Sequence, residues 1–180
     1  QSADVHMGSR LNETDDAVAF FAFHNFWINR AFFGLHRKLP PPERQAMDQR
    51  FRECLNEHCA EMKEVEKWGW KTPRSLLLLP FVHRHFPALR FIHVIRDGRD
   101  MALSTNQNQL RDHGAAILGR QVDIASPLDS FAFWLKTNNA AADYGERILR
   151  EQYLRLRFED VFTNTTEICE RLWQFIGLKG

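Results

Sequence analysis

The segment "FIHVIRDGRDMALS", residues 91–104, places Arg96, Asp97, Arg99 and Asp100 around one glycine. An apolar run that reads as a buried strand stops at Ile95, and helical spacing resumes after the charges. A neutral turn would serve for connectivity alone, so charge at the mouth of so hydrophobic a strand raises the question of a ligand. Ser104 lies eight residues beyond Arg96, and a turn past the strand would return its hydroxyl to the same region. Guanidinium, hydroxyl and the unpaired amides that open the next helix together make a phosphate site. A plainer reading pairs Arg96 with Asp97 or Asp100 and packs Ser104 on the sheet. Spacing alone leaves the two open.

A second strand mouth carries similar equipment. In "WGWKTPRS", residues 68–75, Lys71, Thr72, Pro73, Arg74 and Ser75 follow a short strand end. Cations at two strand mouths could converge on one anionic ligand, each neutralising a different group.

The elements that must position these residues follow from periodicity. Residues 14–38 read as one helix meant for burial, with Phe20, Phe23, Trp27 and Ala31 as its core line and "LPPPE" as its stop. On that helix His24, Asn25 and Asn29 either face a substrate cleft or sit as satisfied polar groups on a partly exposed face. Residues 43–67 form a second, structural helix, with Met47, Phe51, Cys54, Leu55, His58, Met62 and Val65 at helical spacing. Thr72 and Pro73 suit the start of a helix that Pro80 kinks. "RFIHVI" is a strand and "RDMALSTNQNQLRDHG" a helix. The pattern lapses from Gly114 to Pro127, which suggests a mobile loop. Ser126 caps a helix with Pro127 at its first position, "YLRLRF" alternates as a strand, and "TTEICERLWQFIGL" is a terminal amphipathic helix. Strands alternating with helices argue an α/β fold with a parallel sheet covered on both faces.

Composition sets limits. The chain has 180 residues, 44% hydrophobic and 26% charged, enough for a single domain spanning residues 1–180. With 24 Lys plus Arg against 23 Asp plus Glu, the net charge of +1 gives no reason to expect a nucleic-acid partner, and any anion site must be local. The three cysteines, Cys54, Cys59 and Cys169, have no framework spacing, which favours a reducing, cytoplasmic setting. "ECLNEHC" offers two cysteines and His58 but no second ligand cluster, so no metal is expected. No signal peptide or membrane-spanning segment is evident in the sequence.

"WGWKTPRSLLLLP", "FPALRFIHVIRDGRDMALS" and "LRLRFEDVFTNTTEICERLWQFIGL" resemble the heart and the later strand and helix of sulfotransferases that use 3′-phosphoadenosine 5′-phosphosulfate (PAPS). The resemblance runs from about Trp68 to the end. It implies a three-layer parallel sheet flanked by helices, the P-loop NTPase-like sulfotransferase fold, incomplete at both ends of this chain. The implied reaction moves a sulfuryl group from PAPS to a hydroxyl or amine of a small-molecule or carbohydrate acceptor and releases adenosine 3′,5′-bisphosphate. By matching position, Arg96 and Ser104 fall on the pair that binds the 3′-phosphate. Lys71 falls where several branches place a lysine near the transferring sulfuryl group. Phe158 replaces the usual tyrosine of "YED" near the adenine, keeping the ring and losing the hydroxyl. "DVHMGSRLNETDD" is similar to a segment that in some branches holds a catalytic Glu, which makes Glu13, Asp15 and Asp16 candidates for the base, with His6 behind them. Those acids equally suit the cap of the helix that starts near Thr14.

The chain departs from the family pattern in lacking the first strand and the G-x-x-R-S-G-T loop that cradles the 5′-phosphosulfate. It also stops before the segment that in many relatives folds over the nucleotide. A fragment of a longer enzyme is the preferred expectation. The alternative is a trimmed, non-catalytic nucleotide-binding or interaction module. A P-loop kinase relative would need a G-x-x-x-x-G-K-[ST] loop, which the sequence does not contain.

Overall fold

The computed structural model describes residues 5–6, 18–60 and 67–178. The chain divides into two compact units, Gln1–Phe81 and Val82–Gly180.

In the first unit, β1 (Val5–His6) pairs in parallel with β2 (Lys67–Trp68). Helix α1 (Val18–Ala31) is apolar nearly all round. It buries Phe20, Phe23, Trp27 and Ala31, the expected core line, and Ile28 with them. The single helix expected through Lys38 ends early. Phe33 and Gly34 adopt φ values of 39° and 98°, left-handed geometry that breaks the helix into a 3₁₀ segment, Phe32–Lys38. Helix α2 (Pro41–Cys59) starts two residues before the expected Glu43 because Pro41 fits a first helical turn, where its missing N–H is no loss. Its Met47, Phe51, Cys54 and His58 are buried. Phe51 packs with Phe23 at 5.3 Å and with Phe81 at 5.1 Å between ring centroids, giving this unit an aromatic core. A 3₁₀ turn, Ser75–Leu78, leads into α3 (Leu79–His85). Pro80 sits at that changeover, in the first turn of α3.

In the second unit, β3 (Phe91–Ile95) and β4 (Tyr153–Arg157) pair in parallel, in a register running from Phe91↔Tyr153 to Ile95↔Arg157. Parallel strands need a long crossover. Here it contains α4 (Gly98–Ala102), α5 (Asn108–Leu118) and α6 (Pro127–Tyr144). The chain then forms α7 (Phe158–Thr163) and α8 (Thr165–Ile176). Arg90, just before β3, donates to the Phe175 carbonyl near the end of α8.

In this unit the helices after β3 also differ from expectation. The single helix after β3 is split at residues 103–107, where Gln107 turns its side-chain amide onto the Met101 and Ser104 carbonyls at 3.0 and 2.8 Å. The irregular stretch expected from Gly114 is helical to Leu118, and α5 stops at Gly119 with φ 72°. The short loop that follows is strapped down. Asp129 accepts from Arg120 at 2.6 Å and from the Asp123 amide at 2.7 Å, while Ser126 caps α6 by accepting from the Asp129 N–H at 3.3 Å.

The fold is mixed α/β with parallel strand pairing, as the alternation of elements implies. Among the described residues the strands form two separate two-stranded pairs. No helix among those residues is long and apolar enough to cross a membrane. Nor does any group of three His, Cys, Asp or Glu among them suit a metal; Cys54 is buried in the aromatic core of its unit.

Candidate functional site

The register decides which side chains meet at the mouth of β3 and β4. Ile95 and Arg157 are paired, so the next residues, Arg96 and Phe158, leave adjacent strands at the same level. The Arg96 guanidinium carbon lies 5.6 Å from the Phe158 ring centroid, within cation–π range. Phe158 in turn meets Phe162 edge to face at 5.2 Å, and both rings are exposed. Arg96 also reaches Asp100 at 3.4 Å, an exposed i,i+4 pair of little intrinsic strength. The contact of the plainer reading is therefore present, and it leaves the guanidinium half exposed.

Asp97 and Arg99 brace the turn. The Asp97 carboxylate accepts the Arg99 amide at 2.8 Å, capping α4, and the Arg99 guanidinium at 2.5 Å. Those bonds from Arg99 hold Asp97 down to a pKa of about 2. The Asp97 amide donates to Glu159 Oε1 at 2.8 Å. That bond chiefly holds the Glu159 carboxyl below its ordinary range. Two of the amides at this mouth are already engaged. The Asp97 and Arg99 N–H groups already have carboxylate partners, and α4 is a single short turn and a half.

Gly98, at the middle of the charged motif, is buried and opens α4 instead of ending the strand. A Cβ there would stand 2.6 Å from the Trp134 ring of α6. The glycine lets α4 lie against that ring.

Ser104 falls in the break after α4. Its hydroxyl oxygen accepts from the Asn106 amide at 3.2 Å, and its own proton remains to donate. The loop around it is tied to α6, because Ser130 donates to Gln107 Oε1 at 2.8 Å.

Lys71 belongs to the first unit, on the loop between β2 and the 3₁₀ turn, where it is exposed. That loop is closed by Trp70, whose indole N–H donates to Ser75 Oγ at 2.8 Å, and Ser75 lies 3.3 Å from His24 Nε2. Trp70 stacks on Phe20 at 4.8 Å. His24, one of three polar residues on α1 weighed for a substrate cleft, is instead buried in this network, while Asn29 is exposed. Arg74 has left the mouth as well: it is buried, with its guanidinium over the Phe21 ring at 4.9 Å. Glu13, Asp15 and Asp16 lie outside the described residues, as does the side chain of His6.

Two features escaped the sequence reading. Glu159 is a bare acid in "FED" until the strand register sets it against Asp97. Beneath the mouth, buried His93 lies 2.8 Å from the Tyr153 hydroxyl and 3.0 Å from Asn138 Oδ1. Its partners stand 60 and 45 residues away.

With this geometry in place, comparison with known proteins gives a consistent picture. The model of the sulfotransferase family matches residues 14–179. Among solved structures the chain is similar to the sulfotransferase domain from the curacin biosynthetic pathway, with a TM-score of 0.57 and 11% identity over 98% of this chain and 73% of that one. At that identity the likeness speaks to the fold. No curated protein matches the sequence. With the family match running over nearly the whole chain, this protein belongs to the sulfotransferase family.

Proposed function

We propose that the chain transfers a sulfuryl group from PAPS to a hydroxyl or amine of a small-molecule or carbohydrate acceptor in the cytoplasm, and that its strands belong to a three-layer parallel sheet. The reading is carried by one observation. Arg96 and Phe158 leave paired parallel strands side by side, the guanidinium carbon 5.6 Å from the ring centroid. A cation and an aromatic face at the carboxyl ends of strands suit a phosphorylated adenosine.

In this reading Arg96 and Ser104 bind the 3′-phosphate and Phe158 offers its ring to adenine. Lys71 steadies the sulfuryl oxygens, and Glu13 takes the acceptor's proton. The acceptor oxygen or nitrogen attacks sulfur, the bond from sulfur to the bridging phosphate oxygen breaks, and adenosine 3′,5′-bisphosphate departs. Charge spreads over peripheral and leaving oxygens, so alignment and cations held in place beforehand carry the catalysis.

Calorimetric titration of the chain with adenosine 3′,5′-bisphosphate tests the nucleotide site. Arg96→Ala is expected to weaken binding about tenfold or more, from loss of a charge-assisted contact of about 1.5–3 kcal/mol. Unchanged affinity would refute the 3′-phosphate assignment. Lys71→Ala is expected to leave that affinity within about threefold while lowering transfer of labelled sulfate from PAPS, because its role is assigned to the transferring group.

A further inference from the structure

The carboxyl ends of β3 and β4 are joined by a bond that crosses between them. Past the last paired residues, Ile95 and Arg157, the ladder between β3 and β4 ends, and the Asp97 N–H is a donor that the strand pairing does not use. It is taken by Glu159, 62 residues away in sequence, at 2.8 Å. Glu159 directly follows Phe158, and Asp97 directly follows Arg96. The side chain of residue 96 therefore rests on the ring of residue 158, and the main chain of residue 97 is held by the carboxylate of residue 159. Arg157 lies 3.8 Å from the other Glu159 oxygen, and the Asp97 carboxylate is a further charge that acts on it.

These paired contacts constrain one another. If the Asp97–Glu159 bond is lost, the turn that aims Arg96 loses its tie to the strand carrying Phe158. The short α4 cannot replace it, since its cap depends on the same Asp97. We propose that Glu159 is a positioning residue: its carboxylate sets the spacing of Arg96 and Phe158 at which a 3′-phosphorylated adenosine nucleotide is gripped. This rests on the nucleotide reading given above. The competing account is that Glu159 serves only as a first-turn acid of α7, favourable to that helix whatever binds at the mouth.

The test is titration of the full chain with adenosine 3′,5′-bisphosphate, with melting followed on the same samples. Glu159→Ala is expected to weaken binding about fivefold to tenfold, and Glu159→Gln, which keeps an acceptor oxygen at the same reach, to stay within about threefold of wild type. Glu159→Asp separates the two accounts. It retains a first-turn acid for α7 but withdraws the oxygen by one methylene, so it should bind as weakly as the alanine variant. In a double-mutant cycle, Glu159→Ala should cost little further affinity once Arg96 is alanine, because the carboxylate acts through that side chain. Should the alanine variant fail to fold, the Asp and Gln variants carry the comparison. Wild-type binding that Arg96→Ala weakens but Glu159→Asp leaves intact would overturn the positioning role alone. No binding by the wild-type chain would overturn the nucleotide reading and this inference with it.

Discussion

His93 shows how a single buried polar residue constrains its neighbours. The Asn138 amide nitrogen donates to the Trp134 carbonyl at 2.8 Å, which leaves the Asn138 oxygen to accept from His93 Nε2–H at 3.0 Å. His93 Nδ1 is then an acceptor, and the Tyr153 hydroxyl donates to it at 2.8 Å. Burial pushes the imidazole pKa down and the phenol up to about 12, so both groups are neutral across the physiological range. Each therefore has the protonation state that the chain of bonds requires. Tyr153→Phe keeps the ring and deletes the donor, leaving an imidazole nitrogen buried without its partner. The expected loss is about 1–3 kcal/mol of folding stability, read from the urea midpoint at pH 7.5. A midpoint equal to wild type would mean that the bond contributes nothing net.

At the scale of elements, the break in "RDGRD" is set by packing. Gly98 has no positive φ among the described glycines. What it supplies is room, since a Cβ would meet three ring carbons of Trp134 at 2.6 to 2.8 Å. Gly98→Ala is expected to force α4 and α6 apart at a cost of about 1–3 kcal/mol, measurable as a lower midpoint in urea. Unaltered stability would show that the ring can yield. The sequence holds the break itself but not this reason for it, because the ring comes from residue 134. The legible elements are those whose signals are local. Alternation and apolar content mark β3 and β4, and Ser126 with Pro127 marks the start of α6. The ends of α1 and α4 are set otherwise. One turns on Phe33, a bulky residue in left-handed geometry that no propensity favours, and the other on Gln107 bonding back to two carbonyls. Within the candidate site, Arg96 is legible as a charge out of place beside an apolar strand. Glu159 is not, because its meaning depends on a register between strands 62 residues apart in chain position.

For the whole molecule, near-neutral net charge makes stability depend on particular groups instead of general repulsion. Their pKa displacements bracket a pH window. His93 is held neutral by burial, so the unfolded chain takes up that proton first once pH falls below about 6.5, and stability falls with it. Asp97, Asp129 and Glu159 are all displaced downward, by Arg99, by Arg120 and by the Asp97 amide respectively. Their contribution is present above the unfolded carboxylate range, about pH 4, and is lost as pH falls through the lowered folded values, which for Asp97 is about 2. On the alkaline side the signs reverse. Burial raises Cys54 and Tyr153, so the unfolded chain loses those protons first and stability declines as pH climbs past about 8.5 and then about 10. The urea midpoint is therefore expected to be flat between about pH 6.5 and 8.5 and to fall on both sides. Tyr153→Phe should lower that plateau and remove the component of the alkaline limb above about pH 10. A midpoint that rises as pH is lowered from 6.5 to 5 would contradict a buried neutral His93, since it would require the folded chain to bind that proton more tightly than the unfolded one.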